Sequence, residues 1–113
     1  MLKRANRLHL ERDILRVRAE GFVQRGQLFT LRYLACETEK TNRVCFVVSK
    51  KLSKRAVDRN KVTRWSREVI QKHLPSFKAP VDMVLSAQQT FIKYSFEGCE
   101  KEIEQLLKDA KLI

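Results

Sequence analysis

The stretch from Ser49 to His73 constrains this chain more than any other. Between Lys50 and Lys72 it carries nine Lys or Arg against two acids, Asp58 and Glu68. Yet Val62, Trp65, Ser66, Val69, Ile70 and His73 fall within about 140° of arc on a helix of about 100° per residue. Asn60, Arg64, Arg67 and Gln71 gather on the other side, within about 60°. Such a helix needs a core for one side and leaves the other densely cationic. Its free side suits a polyanion.

The flanking sequence supplies the core. Leu10, Ile14 and Val17 repeat at helical spacing, and Gly21 ends that first helix. Phe22-Val23 reads as a short strand before a turn at Gly26. Leu28 to Cys36 alternates, with Phe29, Leu31 and Tyr33 on one face and Thr30, Arg32 and Leu34 on the other. Glu37 to Asn42 is a polar loop. Arg43 to Ser49 is a strand with Val44, Phe46 and Val48 on one face and Cys45 and Val47 on the other. Its near-continuous apolarity predicts a central strand covered on both faces. After the basic helix, Pro75 and Pro80 bracket a loop. Val81 to Ala87 is a strand with Val81, Met83 and Leu85 on one face. Ser95 can cap a last helix whose buried stripe is Phe96, Cys99, Ile103, Leu106, Leu107 and Ala110, with Glu97 in its first turn.

This is one domain of 113 residues with a formal net charge of +11. The charge is segregated. Residues 97–111 hold five acids and three bases, whereas residues 1–18 hold six bases and two acids. A binding face explains that distribution better than a uniform solubility coat, and phosphate is its natural counterpart. The longest apolar run, Val44 to Val48, is far short of the ~20 residues of a spanning helix, and no membrane partner is expected. The basic start, Met1 to Arg7, has no apolar stretch behind it, which argues against a signal peptide and for the cytoplasm. Cys36, Cys45 and Cys99 are odd in number and lack Cys-x-x-Cys spacing, so reduced thiols are expected. His9 and His73 have no partner at metal-ligand spacing, and no metal site is assigned.

Protein-borne catalysis finds little support. Asp58 and Glu68, ten residues apart on one helix, lie about 15 Å from each other, too far for a carboxylate pair. Asp58 reads as a first-turn acid and Glu68 as a partner for a neighbouring arginine. Ser49 and Ser66 have no evident base, and Gly21, Gly26 and Gly98 are isolated. No catalytic residue is assigned. The basic residues suit RNA: lysine offers a mobile point charge, arginine a planar fork that grips phosphate and stacks on bases. Arg59, near the apolar edge, has an alternative as a packing or capping residue. Trp65, mid-stripe, reads as core rather than a base-stacking platform.

Val47-Val48-Ser49-Lys50-Lys51, then Ala56 to Arg64, then Arg67-Glu68 resemble the bacterial ribonuclease P protein subunit family, whose central helix carries an Arg-Asn-Arg signature after a strand ending in Ser-Lys-Lys. Asn6-Arg7-Leu8, Phe29 and Asp82-Met83-Val84 extend the match in order and spacing along nearly the whole chain. The resemblance implies an α/β (α+β) sandwich of αβββαβα order, related to one domain of a small-subunit ribosomal protein, with a left-handed β-α-β crossover. It implies the protein subunit of an endoribonuclease whose RNA subunit holds the active site. That holoenzyme removes the 5′ leader of precursor tRNA with Mg²⁺ bound by RNA and substrate; the protein alone is expected to be inactive and to bind no cofactor. Carried over by position, Lys50, Lys51, Lys54, Arg59, Asn60, Lys61, Arg64 and Arg67 are the RNA-binding set. Ile14, Arg18, Thr30, Arg32, Val47 and Ser49 are the candidates for the leader cleft between the first helix and the sheet.

Five positions depart from the family pattern. Lys61 and Thr63 replace the usual Arg and Lys. Ile14 and Arg18 stand where phenylalanines are frequent, and Arg32 where an aromatic is frequent. Two other classes compete. A structural RNA-binder, ribosomal or assembly-related, is the main alternative; charge does not separate the two, and the order of motifs along the full chain favours the ribonuclease P resemblance. A DNA-binding regulator needs a helix-turn-helix pair, which the pattern lacks, so no DNA partner is expected.

Overall fold

The computed structural model describes residues 3–36 and 41–113. The elements run α1 (Glu11–Glu20), β1 (Phe22–Arg25), β2 (Phe29–Ala35), β3 (Arg43–Val47), α2 (Ala56–His73), β4 (Val81–Ala87) and α3 (Phe96–Asp109), with 3-10 turns at Arg4–Asn6, Leu74–Ser76 and Phe91–Lys93. This is the expected αβββαβα order. Of the polar loop anticipated over Glu37 to Asn42, residues 37–40 lie outside the described residues, as do Met1 and Leu2.

The strands form one sheet in the order β1-β2-β4-β3, with β3 parallel to β4 and the other pairs antiparallel. The period of two sorts their side chains between two cores. Phe29, Leu31, Val44, Met83 and Leu85 meet Val62, Val69 and Ile70 of α2 and Cys99, Ile103, Leu106 and Leu107 of α3. On the opposite face Val84 packs with Leu8 and Val17, joined by Ile14, Leu34, Cys45 and Val47. Helices α2 and α3 therefore lie on one face and α1 on the other.

β3 is not the central strand its apolarity suggested. It stands at the sheet edge, and β4, buried from Val81 to Leu85, is central. The reason is coverage rather than position. α2 covers one face of β3, and α1 with Leu8 covers the other. The N-terminal segment also shields the edge itself, Arg7 bridging Val44 and the Leu8 N–H donating to the Val44 carbonyl at 3.0 Å.

The hydrogen-bond register fixes the handedness of the β3-α2-β4 connection. Cys36 N–H donates to Pro80 C=O and Gln88 N–H to Leu28 C=O, so the even-numbered residues of β4 form hydrogen-bonded pairs with β2. Those residues, Val84 among them, face α1. For L-residues, β2 then lies to the right of an upward-pointing β4 seen from the α1 side, with β3 on the left and α2 behind. The crossover is left-handed, against the usual rule.

Two local devices set where the helices end and begin. A Cβ at Gly21 would fall 2.4 Å from the Val17 carbonyl and 2.8 Å from that of Tyr33, so only glycine lets α1 end directly against β2. Ser95 caps α3, its Oγ accepting from Gly98 N–H at 3.0 Å.

Candidate nucleic-acid interface

α2 presents the two sides its periodicity predicted. Val62, Ser66, Val69 and Ile70 are buried. Asn60, Arg64, Arg67 and Gln71 are exposed and, with Glu68, line an open surface depression of about 580 Å³. Neither Arg64 nor Arg67 has an acid within ion-pair distance among the described residues. Glu68 forms no ion pair there either, contrary to the expected arginine partnership; it is exposed, where hydration competes with pairing. Both guanidinium forks are therefore available to phosphate.

The remaining members of the RNA-binding set are arranged around this face. Lys50 and Lys51 are exposed in the turn between β3 and α2, and Lys54 just beyond it. Lys61 lies over the Trp65 ring, Nζ 5.7 Å from its centroid. Arg59 is half-buried and donates from Nη1 to the Ser53 carbonyl at 2.8 Å, taking the anchoring role weighed as its alternative. Ser53 in turn donates to the Asp58 carboxylate at 2.8 Å, which commits that acid to the helix start. Trp65 is half-buried rather than enclosed. It packs on the core's margin with its ring stacked on Phe91, centroids 6.4 Å apart at 14°.

The leader-cleft candidates share the α1 face, though unequally. The register aligns Thr30, Ser86 and Val47 in one row across the sheet and Arg32, Val84 and Cys45 in the next. Ile14 packs into the small core beneath α1. Arg18 is exposed on α1, close enough to Cys45 for its charge to favour the thiolate; burial outweighs it and pushes the Cys45 thiol up. Thr30 is buried, its hydroxyl donated to the Gln88 side chain, which also reaches the Gly26 and Gln27 carbonyls. Arg32 and Val47 are half-buried, and Ser49 is exposed, its Oγ accepting from Lys51 N–H. A surface with arginines at its rim and small side chains along its floor can hold an extended strand by charge and by guanidinium stacking.

Sequence reasoning missed two features. Asp82 is fully buried on this face and receives Nε and Nη2 of Arg43 at 2.8 Å each, with Arg16 of α1 at 3.4 Å; Arg43 also reaches Asp13 of α1 at 3.4 Å. Asp82 holds the Arg43 guanidinium well above even its usual range. The signal was one acid inside the apolar run Val81 to Leu85. Second, Arg67 also lines a hollow of about 220 Å³ with Arg7, His9 and Thr63, so the α2 face continues round the β3 edge toward the N-terminal segment. Among the described residues, no group of three or more His, Cys, Asp or Glu is placed to hold a metal ion.

The family model for ribonuclease P matches residues 2–111. The chain is 30% identical over 113 residues to the ribonuclease P protein component of a Pseudanabaena strain, covering 100% of this chain and 97% of that one. It is 30% identical over 112 residues to that of Syntrophomonas wolfei, covering 99% and 92%. The solved RNase P protein of Staphylococcus aureus matches with a TM-score of 0.86 at 27% identity, over 95% of this chain and 96% of that one. That of Thermotoga maritima matches at 0.79 and 26%, over 91% and 96%.

Proposed function

This chain belongs to the ribonuclease P protein family, and on that premise we propose that it is the RNA-binding subunit of a ribonucleoprotein endonuclease that removes the 5′ leader from precursor tRNA. The observation that carries the reading is the outer face of α2, where Asn60, Arg64, Arg67 and Gln71 converge on one depression with both arginine forks unengaged by protein acids. This face docks on the catalytic RNA. Lys50, Lys51, Lys54 and Lys61 extend the positive field around it, and Arg59 acts mainly by fixing the start of α2.

The leader lies along the sheet beside α1, over the rows containing Thr30, Arg32 and Val47, with Arg18 and Ser49 at the margins. The protein's contribution is position and charge: it neutralises phosphates that would otherwise repel one another and holds the leader extended. Hydrolysis belongs to the RNA subunit, with Mg²⁺ held by RNA and substrate.

Reconstitution tests this. The purified chain is added to a bacterial ribonuclease P RNA at low Mg²⁺, and cleavage at the mature 5′ end of the tRNA is scored. The expected result is strong stimulation by the chain and no cleavage without the RNA. Specific 5′ cleavage that co-purifies with RNA-free protein at constant specific activity would place the chemistry in the protein; absence of stimulation would leave the chain a structural RNA-binder.

A further inference from the structure

A second surface lies at the opposite edge of the sheet, on the α3 side. Phe22 opens β1 and is 66% exposed, although it is a large aromatic in an edge strand. Its ring packs beside that of its cross-strand partner Tyr33, centroids 5.7 Å apart at 33°. The two rings wall a pocket of about 170 Å³ closed by Pro80, Leu112 and the two lysines Lys78 and Lys111. That volume lies below the ~300 Å³ at which pockets for drug-sized ligands begin, and suits a single planar ring.

The pocket is held in shape by the backbone. Leu112 N–H donates to Leu107 C=O and Lys111 N–H to Lys108 C=O, closing the end of α3, and Lys78 N–H donates to Leu112 C=O, joining two of the walls. Lys111 takes φ 60°, and no other non-glycine residue described has a positive φ. Glycine is the ordinary occupant of this position at a helix end, and a lysine there is strained. The strained residue thus sets a positive charge in the lining of a pocket walled by two aromatic rings.

We propose that Phe22 and Tyr33, flanked by Lys78 and Lys111, stack one unpaired nucleotide of the precursor's 5′ leader beyond the part held in the cleft. The proposal rests on the leader reading above. Continuity with the cleft favours the leader as occupant. Val23, the residue after Phe22, pairs with Arg32 on the cleft face, so a strand passing over Arg32 and round the free edge of β1 meets Phe22 next. The chemistry fits a nucleotide: stacking accepts any base, and the two lysines of the lining supply positive charge for its phosphates.

The test is holoenzyme affinity for precursors with long and short leaders, across a salt series, using wild type, Phe22→Ala and Lys111→Gly. Wild type should prefer the long leader. Phe22→Ala should remove about tenfold of that preference and leave short-leader affinity unchanged. Lys111→Gly should raise the Tm while weakening long-leader binding and lowering the log–log salt slope by about 0.7. A leader carrying 4-thiouridine should photocross-link to Phe22 or Tyr33. A wild-type preference that survives Phe22→Ala intact, or Lys111→Gly protein that is more stable yet binds unchanged, overturns the pocket while sparing the cleft. Loss of affinity for the catalytic RNA without precursor reassigns the pocket to that RNA and also overturns the proposal. No preference in wild type removes the leader reading itself.

Discussion

Asp82 decides how α1 sits on the sheet. Its carboxylate is fully buried, carries a two-point contact from Arg43 and touches Arg16 of α1. Removing the carboxylate takes from Arg43 its two-point contact and leaves the longer one to Asp13, and a largely buried charge stripped of its main partner is far worse than never having built the pair. Asp82→Ala should therefore cost about 3–5 kcal/mol in denaturant unfolding, and loss of below 1 kcal/mol would mean that water replaces the carboxylate at little cost. Trp65→Ala should cost less than the ~3–5 kcal/mol of an enclosed aromatic, because one face of the ring is covered by Phe91 and the rest stays at the core's margin. Helical spacing gave the side on which Trp65 sits but not its depth, since depth depends on Phe91, which is remote in sequence. The same limit applied to Arg59: its place on the wheel was legible, its contact with the Ser53 carbonyl was not.

At the scale of elements, α2 was the most legible part of the chain. A stripe of 18 residues with one buried and one cationic side has few solutions, and the depression formed by Asn60, Arg64, Arg67 and Gln71 is what the wheel predicts. Arg64→Ala and Arg67→Ala should each weaken binding to the catalytic RNA by about 1.5–3 kcal/mol and leave the melting temperature near wild type. Normal binding by both at physiological salt would show that another face docks. β3 was misplaced because apolar content reports coverage, and an edge strand roofed by α1, α2 and Leu8 is covered as well as a central one. The cleft invites a different kind of test. Arg18 and Arg32 supply charge where rings are frequent in the family, and each phosphate contact to a single strand adds about 0.7 to the salt slope. Arg18→Phe combined with Arg32→Tyr should flatten the salt dependence of leader binding while keeping most of the affinity at moderate salt. An unchanged slope would place both arginines outside the leader's path.

For the whole molecule, element order and charge segregation were legible, whereas the crossover's handedness was not, because it depends on which face of β4 pairs with β2. The assembled fold also sets a pH limit that no single element shows. Burial pushes the thiol of Cys99 up to about 11, and the Cys45 thiol and Tyr94 hydroxyl upward as well. The buried form is the neutral one in each case, while in the unfolded chain a thiol ionises near its ordinary value of about 8.5. The stabilisation from keeping Cys99 neutral is thus complete below about pH 8.5 and is lost as the pH climbs toward 11. Neutralisation of lysines over the same range relieves repulsion in a chain of net charge +11, so a melting curve of the wild type alone mixes two opposing effects. Comparison with Cys99→Ser separates them. The lysines are common to both proteins, and the serine hydroxyl does not titrate. Cys99→Ser should melt lower than wild type at pH 8, since it exchanges a thiol in the main core for a hydroxyl. That gap should narrow steadily between pH 9 and 11 as the wild-type thiol loses its protonated advantage. A gap that stays constant over this range would show that Cys99 ionises no later in the folded protein than in the unfolded chain, and that α3 opens to solvent at alkaline pH.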